Sequence, residues 1–251
     1  MKRNSTLLLT VFILFSTICF SQTTPESEKS DSSKVDYSFG ADLSSRYLWR
    51  GKELSKSPCI QPTATFSLGN FSICSWSSYT LANESLQEFD IYLSYKIKNI
   101  TLSINDYFVP DENLSNNRYF IYDNGKTSHA IEASAMYSSE NNPFSLTVGT
   151  FVYGADNSYG YDVKKDTTGE SYYSSYAEIG YAFTIKQNEL NLFCGLTPWA
   201  GYYGNTMGVI NAGISMSKEI EITDKFSLPI KGTVMANPQT HNIFFGFAVT
   251  L

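Results

Sequence analysis

Arg46 and Arg50 stand four residues apart, with the acids Asp36 and Asp42 before them. All four share one parity of a segment that alternates apolar and polar, so an extended strand carries them on one face. The same parity of later segments adds Asp90, Lys96, Glu132, Glu178, Asn191 and Lys231. Charges of both signs on the inner wall of a ring do one of two things. They line a passage and set its ion preference, or they pair with one another and stiffen the wall. Trp76, Tyr92, Phe151, Tyr153, Tyr176, Phe193 and Trp199 fall on that same polar parity. Aromatic groups there narrow a passage, or offer a surface to sugars and apolar solutes.

Other chemistry has little support. The two histidines, His129 and His241, fall on the apolar parity of segments far apart in the chain, so they cannot share a site. No acid is obviously placed to orient either ring, and no GxSxG motif occurs. Metal-ligand spacings and phosphate-cradling loops are absent, so neither catalysis nor a cofactor is expected. The net charge of -6 gives no reason to expect nucleic acid.

The elements that must position these residues are strands. The chain has 251 residues, 17% of them charged, with 18 Tyr and 17 Phe. Tyr suits boundaries that are dry on one side and wet on the other. Lys2 and Arg3, the apolar run from Leu7 to Phe20 and a small residue at Ser21 read as a signal peptide over 1–21. Residues 22–34 lack apolar period and read as a disordered leader. Cys59, Cys74 and Cys194 are an odd set at scattered spacing, expected as packing residues rather than a disulfide framework.

From 35 to 251 no helical period persists, and one domain is expected. Period-2 segments lie near 35–50, 58–68, 71–80, 88–97, 100–108, 128–138, 144–153, 172–186, 189–200, 208–218, 226–236 and 242–251. Tight turns at Gly69-Asn70, Lys98-Asn99 and Gln187-Asn188 keep the apolar faces of their hairpins in common. The last of these pairs Phe183 with Leu192. Tight connections alternate with long ones, notably 109–127 and 154–171. Long loops at one end and short turns at the other are the habit of an outer-membrane barrel, here a transmembrane antiparallel up-and-down β-barrel of about twelve strands.

The apolar face is expected to meet lipid, because the other face is too polar for a packed core. Aromatics on the apolar face form two girdles. Tyr37, Phe39, Phe71, Tyr95, Phe144, Phe183 and Phe226 lie toward the short turns. Tyr47, Trp49, Tyr79, Phe89, Phe108 and Tyr137 are assigned to the long-loop side. A barrel of this strand number measures roughly 24 Å across its backbone, so the lumen aromatics leave a slim conduit or close it.

Residues 45–51, SRYLWRG, and 58–62, PCIQP, resemble the opening of the TorF-like family of outer-membrane porins. Ser45, Tyr47, Trp49, Arg50, Gly51, Pro58 and Gln61 match its pattern, and Trp76 stands where that family has a strand Trp. The resemblance covers roughly residues 40–80. It implies a barrel in the bacterial outer membrane with a transport role. The resulting expectation is a narrow channel for passive diffusion of small solutes, with membrane lipid and an unidentified solute as partners. A barrel without conductance, binding through its long loops, is the alternative; a soluble secreted β-protein or an outer-membrane lipase ranks below both.

Overall fold

The computed structural model describes residues 35–82, 86–110, 118–123, 126–156, 158–159, 164–165, 171–224 and 226–251. The expected signal peptide and leader, and much of the two longest loops, lie outside the described residues. The strands are β1 (Val35–Ser44), β2 (Tyr47–Trp49), β3 (Lys52–Ser55), β4 (Cys59–Leu68), β5 (Phe71–Thr80), β6 (Gln87–Ile97), β7 (Ile100–Phe108) and β8 (His129–Ser139). They continue with β9 (Asn142–Gly154), β10 (Ser158–Tyr159), β11 (Lys164–Lys165), β12 (Ser175–Ile185), β13 (Asn188–Thr197), β14 (Gly208–Thr223), β15 (Phe226–Asn237) and β16 (Asn242–Thr250). Twelve of them close into one antiparallel barrel in the order β1-β16-β15-β14-β13-β12-β9-β8-β7-β6-β5-β4. The pairs β2–β3 and β10–β11 are separate small hairpins. Closure leaves no sheet edge along the barrel wall, so the backbone of each wall strand is paired on both sides.

The apolar parity faces outward. Leu93, Leu192 and Phe247 are exposed, as are Ile100, Leu102 and Ile104 along β7. Inward positions carry the buried polar groups Asp90, Asn105, Thr147, Glu132, Glu178 and Asn211. The register follows from the turns. Ile97 pairs with Ile100 and Leu93 with Ile104, while Leu68 pairs with Phe71 and Phe66 with Ile73. Lys98 and Gly69 open those turns at positive φ, which lets two residues reverse the chain.

Four expectations need correction. The turn between β12 and β13 is Lys186-Gln187, with Lys186 at φ 58, so Phe183 pairs with Leu190 and Ile179 with Cys194. A two-residue shift keeps every side chain on its face, so alternation could not choose between the registers. The first segment does not run to residue 50: β1 stops at Ser44, and the chain bends at Ser45-Arg46. Tyr137 pairs with Ile100 at the short-turn end, so it belongs to the inner girdle with Tyr95 and Phe144. Tyr153 is not in the lumen. A bulge sets Ile131 opposite Tyr153 and Glu132 opposite Phe151, which places Val152 as the extra residue and turns Tyr153 outward.

The seam between β1 and β16 carries Asp42–Thr250, Leu43–Val249 and Ser44–Ala248. It is extended on both sides by backbone bonds, Leu251 N to Ala41 O at 2.9 Å and Ser45 N to Phe247 O at 2.8 Å. The Ser45 hydroxyl also accepts from Phe247 N at 3.0 Å, and Thr250 Oγ1 donates to Asp42 at 2.6 Å. Pro229 lies beyond the last β15–β16 pair, Ile230–Val249, where that ladder no longer asks for its N–H. This register is testable. In a background with Cys59, Cys74 and Cys194 changed to serine, Leu43→Cys with Val249→Cys forms an intramolecular disulfide on mild oxidation. Leu43→Cys with Phe247→Cys, offset by two residues, stays reduced on a non-reducing gel.

Candidate functional site

The outer half of the lumen is filled by chain from the loops. β2 and β3 form a hairpin that enters the barrel, with Tyr47 paired to Ser55, Leu48 to Glu53 and Trp49 to Lys52. Its tip is Arg50-Gly51, at φ 44 and 81, a two-residue turn with both positions left-handed. Gly51 is required twice over. Besides its φ, a Cβ there would strike the carbonyl of Ile210, the extra residue of a bulge in β14. Tyr47 and Trp49, expected in the outer girdle, are instead buried in the lumen. The bend at Ser45-Arg46 carries them across the wall, so the parity read along β1 no longer applies past Ser44.

Arg50 reaches the far wall. Its guanidinium bonds Glu132 of β8 with both arms, Nη1 to Oε1 at 2.5 Å and Nη2 to Oε2 at 3.0 Å. Glu132 accepts further bonds from Asn105 at 3.1 Å, Tyr107 at 2.9 Å and Tyr203 at 3.3 Å. Arg50 also donates to the Tyr203 hydroxyl. The guanidinium lies 4.8 Å from the Trp49 ring centroid, 4.7 Å from that of Tyr176 and 5.6 Å from that of Tyr203. Rings supply the cation with a favourable face where water is excluded. Gly149 makes the space: a Cβ there would stand 2.5 Å from Glu132 Oε1.

Around this pair the aromatics interlock. Tyr47 packs on Trp76 at 5.3 Å between centroids, and Trp49 on Tyr107 at 5.6 Å. Phe151 stacks on Tyr203 at 5.7 Å. Tyr202 and Tyr203 come from the connection after β13, a tight turn closed by Gly201 N to Gly204 O at 2.9 Å. That turn is held by Ser174, whose hydroxyl accepts from Tyr202 N at 2.7 Å and donates to Asp156 at 2.5 Å. Lys52 donates to the Tyr202 carbonyl, the Tyr47 hydroxyl bonds Glu88, and Asn237 donates to Gly51 O at 2.9 Å. Leu48 lies against Gly246 of β16, where a Cβ would come within 3.1 Å of its methyl. The hairpin thus touches strands on every side of the barrel and bridges its cross-section.

The expected lumen residues separate into groups. Arg50, Glu132, Trp76, Phe151 and Tyr176 meet in the plug. Tyr92 donates to Asp90 at 2.6 Å behind it. Tyr176 donates to Glu178, and Asn211 bonds that carboxylate at 2.7 Å across Gly195, where any Cβ would collide with the Tyr176 hydroxyl. Asp42 and Lys231 lie below, on the short-turn side, within electrostatic reach of one another. Phe193 faces in over Gly213, and Asn191 lies on the same wall with its Oδ1 buried and without a hydrogen-bond partner among the described residues. Lys96, cross-strand from Thr101, keeps the lumen parity and is exposed near the short-turn mouth. Two depart from expectation. Arg46 stays within the hairpin, paired to Glu53 at 2.6 Å. Trp199 is 46% exposed at the outer rim and donates to Tyr173 O at 3.2 Å, because β13 ends at Thr197 and Pro198 cannot extend it.

Tyr107, Tyr202, Tyr203, Glu88 and Asn105 were not singled out from sequence. Tyr107 and Asn105 share the lumen parity of β7, a signal that was present; Tyr202-Tyr203 sit in a connection without periodicity, which gave none. The two histidines also need correction. Asp106 does orient His129, at 2.7 Å from Nδ1, while Nε2 lies 2.5 Å from the Tyr119 carbonyl. Both ring nitrogens are therefore engaged. His241 sits at φ 56 in the turn before β16. Among the described residues no cluster of His, Cys, Asp or Glu is placed to hold a metal ion.

Arg50→Met leaves Glu132 buried without its counter-charge and costs about 3–5 kcal/mol of hairpin docking. Adding Glu132→Gln to that variant recovers most of the loss. The red shift of Trp49 emission with urea, measured in detergent micelles, reads the docking equilibrium. Among known proteins, no protein-family model matches this chain, and no curated protein matches it. Among solved structures, the COG4313 outer membrane channel of Pseudomonas putida F1 is similar, with 11% sequence identity and a TM-score of 0.43, over 91% of this chain and 98% of that one.

Proposed function

We propose that this protein is a porin-like channel of the bacterial outer membrane that passes small solutes and rests with its outer mouth plugged by the hairpin 45–57. The observation that carries this reading is the Arg50–Glu132 contact, which joins an inserted loop to the wall rather than one wall strand to another. A contact of that kind can be released without unravelling the barrel. The closed barrel, its outward apolar band and the exposed aromatics Tyr37, Phe39, Phe71 and Tyr95 at one end support a membrane location. Below the plug the lumen is lined by Thr65, Thr101, Ser145, Thr147 and Ser215, with Lys231 and Asp42, a surface suited to small polar solutes.

Arg46 Nε and Asn211 Oδ1 are buried in the plugged state, and lifting the hairpin opens their surroundings to water. The residues that resemble the TorF-like porins, 45–51 and 58–62, are this hairpin and the start of β4, which ties that likeness to the plug. Diffusion through the opened lumen would be filtered by its width and by its charges.

Planar-bilayer recording tests the reading. The wild type shows brief, infrequent openings, and Arg50→Ala or Glu132→Gln raises open probability at least tenfold. Silence of both variants, with the barrel still folded by gel mobility, would favour the non-conducting barrel that binds through its loops. A pH dependence follows from Lys52, whose ammonium is lowered to about 8 by burial. The plugged state binds this proton less tightly than the open state, where Lys52 meets water and titrates near 10.5. Plugging therefore strengthens as pH rises from about 8 toward about 10.5. Open probability falls across that window, and Lys52→Met abolishes the slope.

A further inference from the structure

Two residues on the lipid-facing parity of the wall are buried. Phe108, at the outer end of β7, is 6% exposed, and its cross-strand partner His129 is fully covered. Their neighbours of the same parity, Ile100, Leu102 and Ile104, are open. Something lies over the outside of the barrel at this rim, and it is the segment 118–123. Tyr122 stacks on His129 at 4.0 Å between centroids, and Tyr119 packs edge-on to Phe108 at 5.2 Å and to Phe89 at 5.5 Å. The Tyr122 hydroxyl donates to Asp106 at 2.9 Å, and Tyr153 donates to the Tyr122 carbonyl. Asp106, an acid on the lipid parity of β7, thus anchors this covering strap together with His129.

The strap turns its remaining apolar group away from the protein. Phe120 is 89% exposed, although its neighbours Tyr119 and Tyr122 are both engaged with the wall. Tyr79 on β5 also stands exposed. Beside it, between the strap and β5–β7, lies a cleft of about 140 Å³ whose apolar lining is Tyr79, Phe89, Phe108, Pro110 and Tyr119. Arg118 is exposed at the start of the strap, while Lys126, just after it, pairs with the strap's own Asp123 at 3.8 Å. Aromatic rings beside an exposed cation are what the boundary between acyl chains and anionic headgroups selects.

We propose that residues 118–123 form a lipid-binding strap, with Phe120 seated among the acyl chains of the outer leaflet and Arg118 at the level of their anionic headgroups. The proposal rests on the membrane-barrel reading, from which it is separable by experiment. Phe120 makes one described ring contact, with Tyr119, so its replacement leaves the wall contacts of the strap in place. A nitroxide label is attached at Phe120→Cys, and separately at Leu102→Cys in the apolar band, both in a Cys194→Ser background; Cys59 and Cys74 are buried. The proteins are reconstituted in vesicles containing phosphatidylglycerol, and relaxation by oxygen is compared with relaxation by a water-soluble nickel chelate. Oxygen relaxation exceeding nickel relaxation at both sites is the expected result. Oxygen dominance at residue 102 with nickel dominance at residue 120 overturns the strap and leaves the barrel reading intact. Nickel dominance at both sites overturns the two together.

Discussion

A guanidinium inside a barrel must be answered. Arg50 is carried into the lumen on a left-handed turn, and both the burial of its charge and its backbone conformation are unfavourable by themselves. Glu132 answers with a two-pronged bond, three rings answer with their faces, and Tyr203 supplies a further oxygen. A buried ion pair adds little net stability over an apolar filling of the same volume. What it adds here is position. An aromatic plug held by apolar contact alone could settle at several depths. A fork that fits one carboxylate, backed by Asn105 and Tyr107, has one docking point.

Much of the rest is shaped to allow that docking. The wall residues that face the plug include glycines at 149, 195 and 246, each opposite an atom that a Cβ would crowd: the Glu132 carboxylate, the Tyr176 hydroxyl and the Leu48 methyl. Large lumen side chains and missing ones therefore alternate between adjacent strands. The bulge at Ile210 serves the same end, because it presents a wall carbonyl to the turn that only Gly51 can approach. Twelve strands enclose more space than their own inward side chains fill, and the deficit is met by borrowed chain: Tyr47 and Trp49 from one connection, Tyr202 and Tyr203 from another.

The wall was legible in the sequence because period 2 reports it directly. Strand count, outward face and the tight turns at Gly69 and Lys98 follow from alternation and local turn chemistry. Two kinds of information were not available from that signal. One is any even shift of register, as between β12 and β13, which leaves each face unchanged. The other is what happens when a strand ends. Tyr47 and Trp49 keep the alternation of β1 past Ser44, yet the bend at Ser45-Arg46 carries them inside, and Trp199 keeps the lumen parity of β13 yet lies at the rim beyond Thr197. Alternation places a side chain relative to its own strand; only long-range partners, here Glu132 eighty-two residues from Arg50, place the loop.

The pair β7–β8 joins these features. On one face it presents Asn105, Tyr107 and Glu132 to the plug; on the other, with the next residues in line, it presents Asp106, Phe108 and His129 to the strap. Plug and strap thus grip opposite sides of the same two strands, at the same height, through alternate residues. Any tilt or shear of this pair that loosens Glu132 from Arg50 must also shift Asp106 and His129 beneath the strap. The rim and the plug thus meet on one pair of strands. A barrel strand is usually a wall with two unrelated surfaces. Here both surfaces bear inserted chain, one on each face of a single ladder.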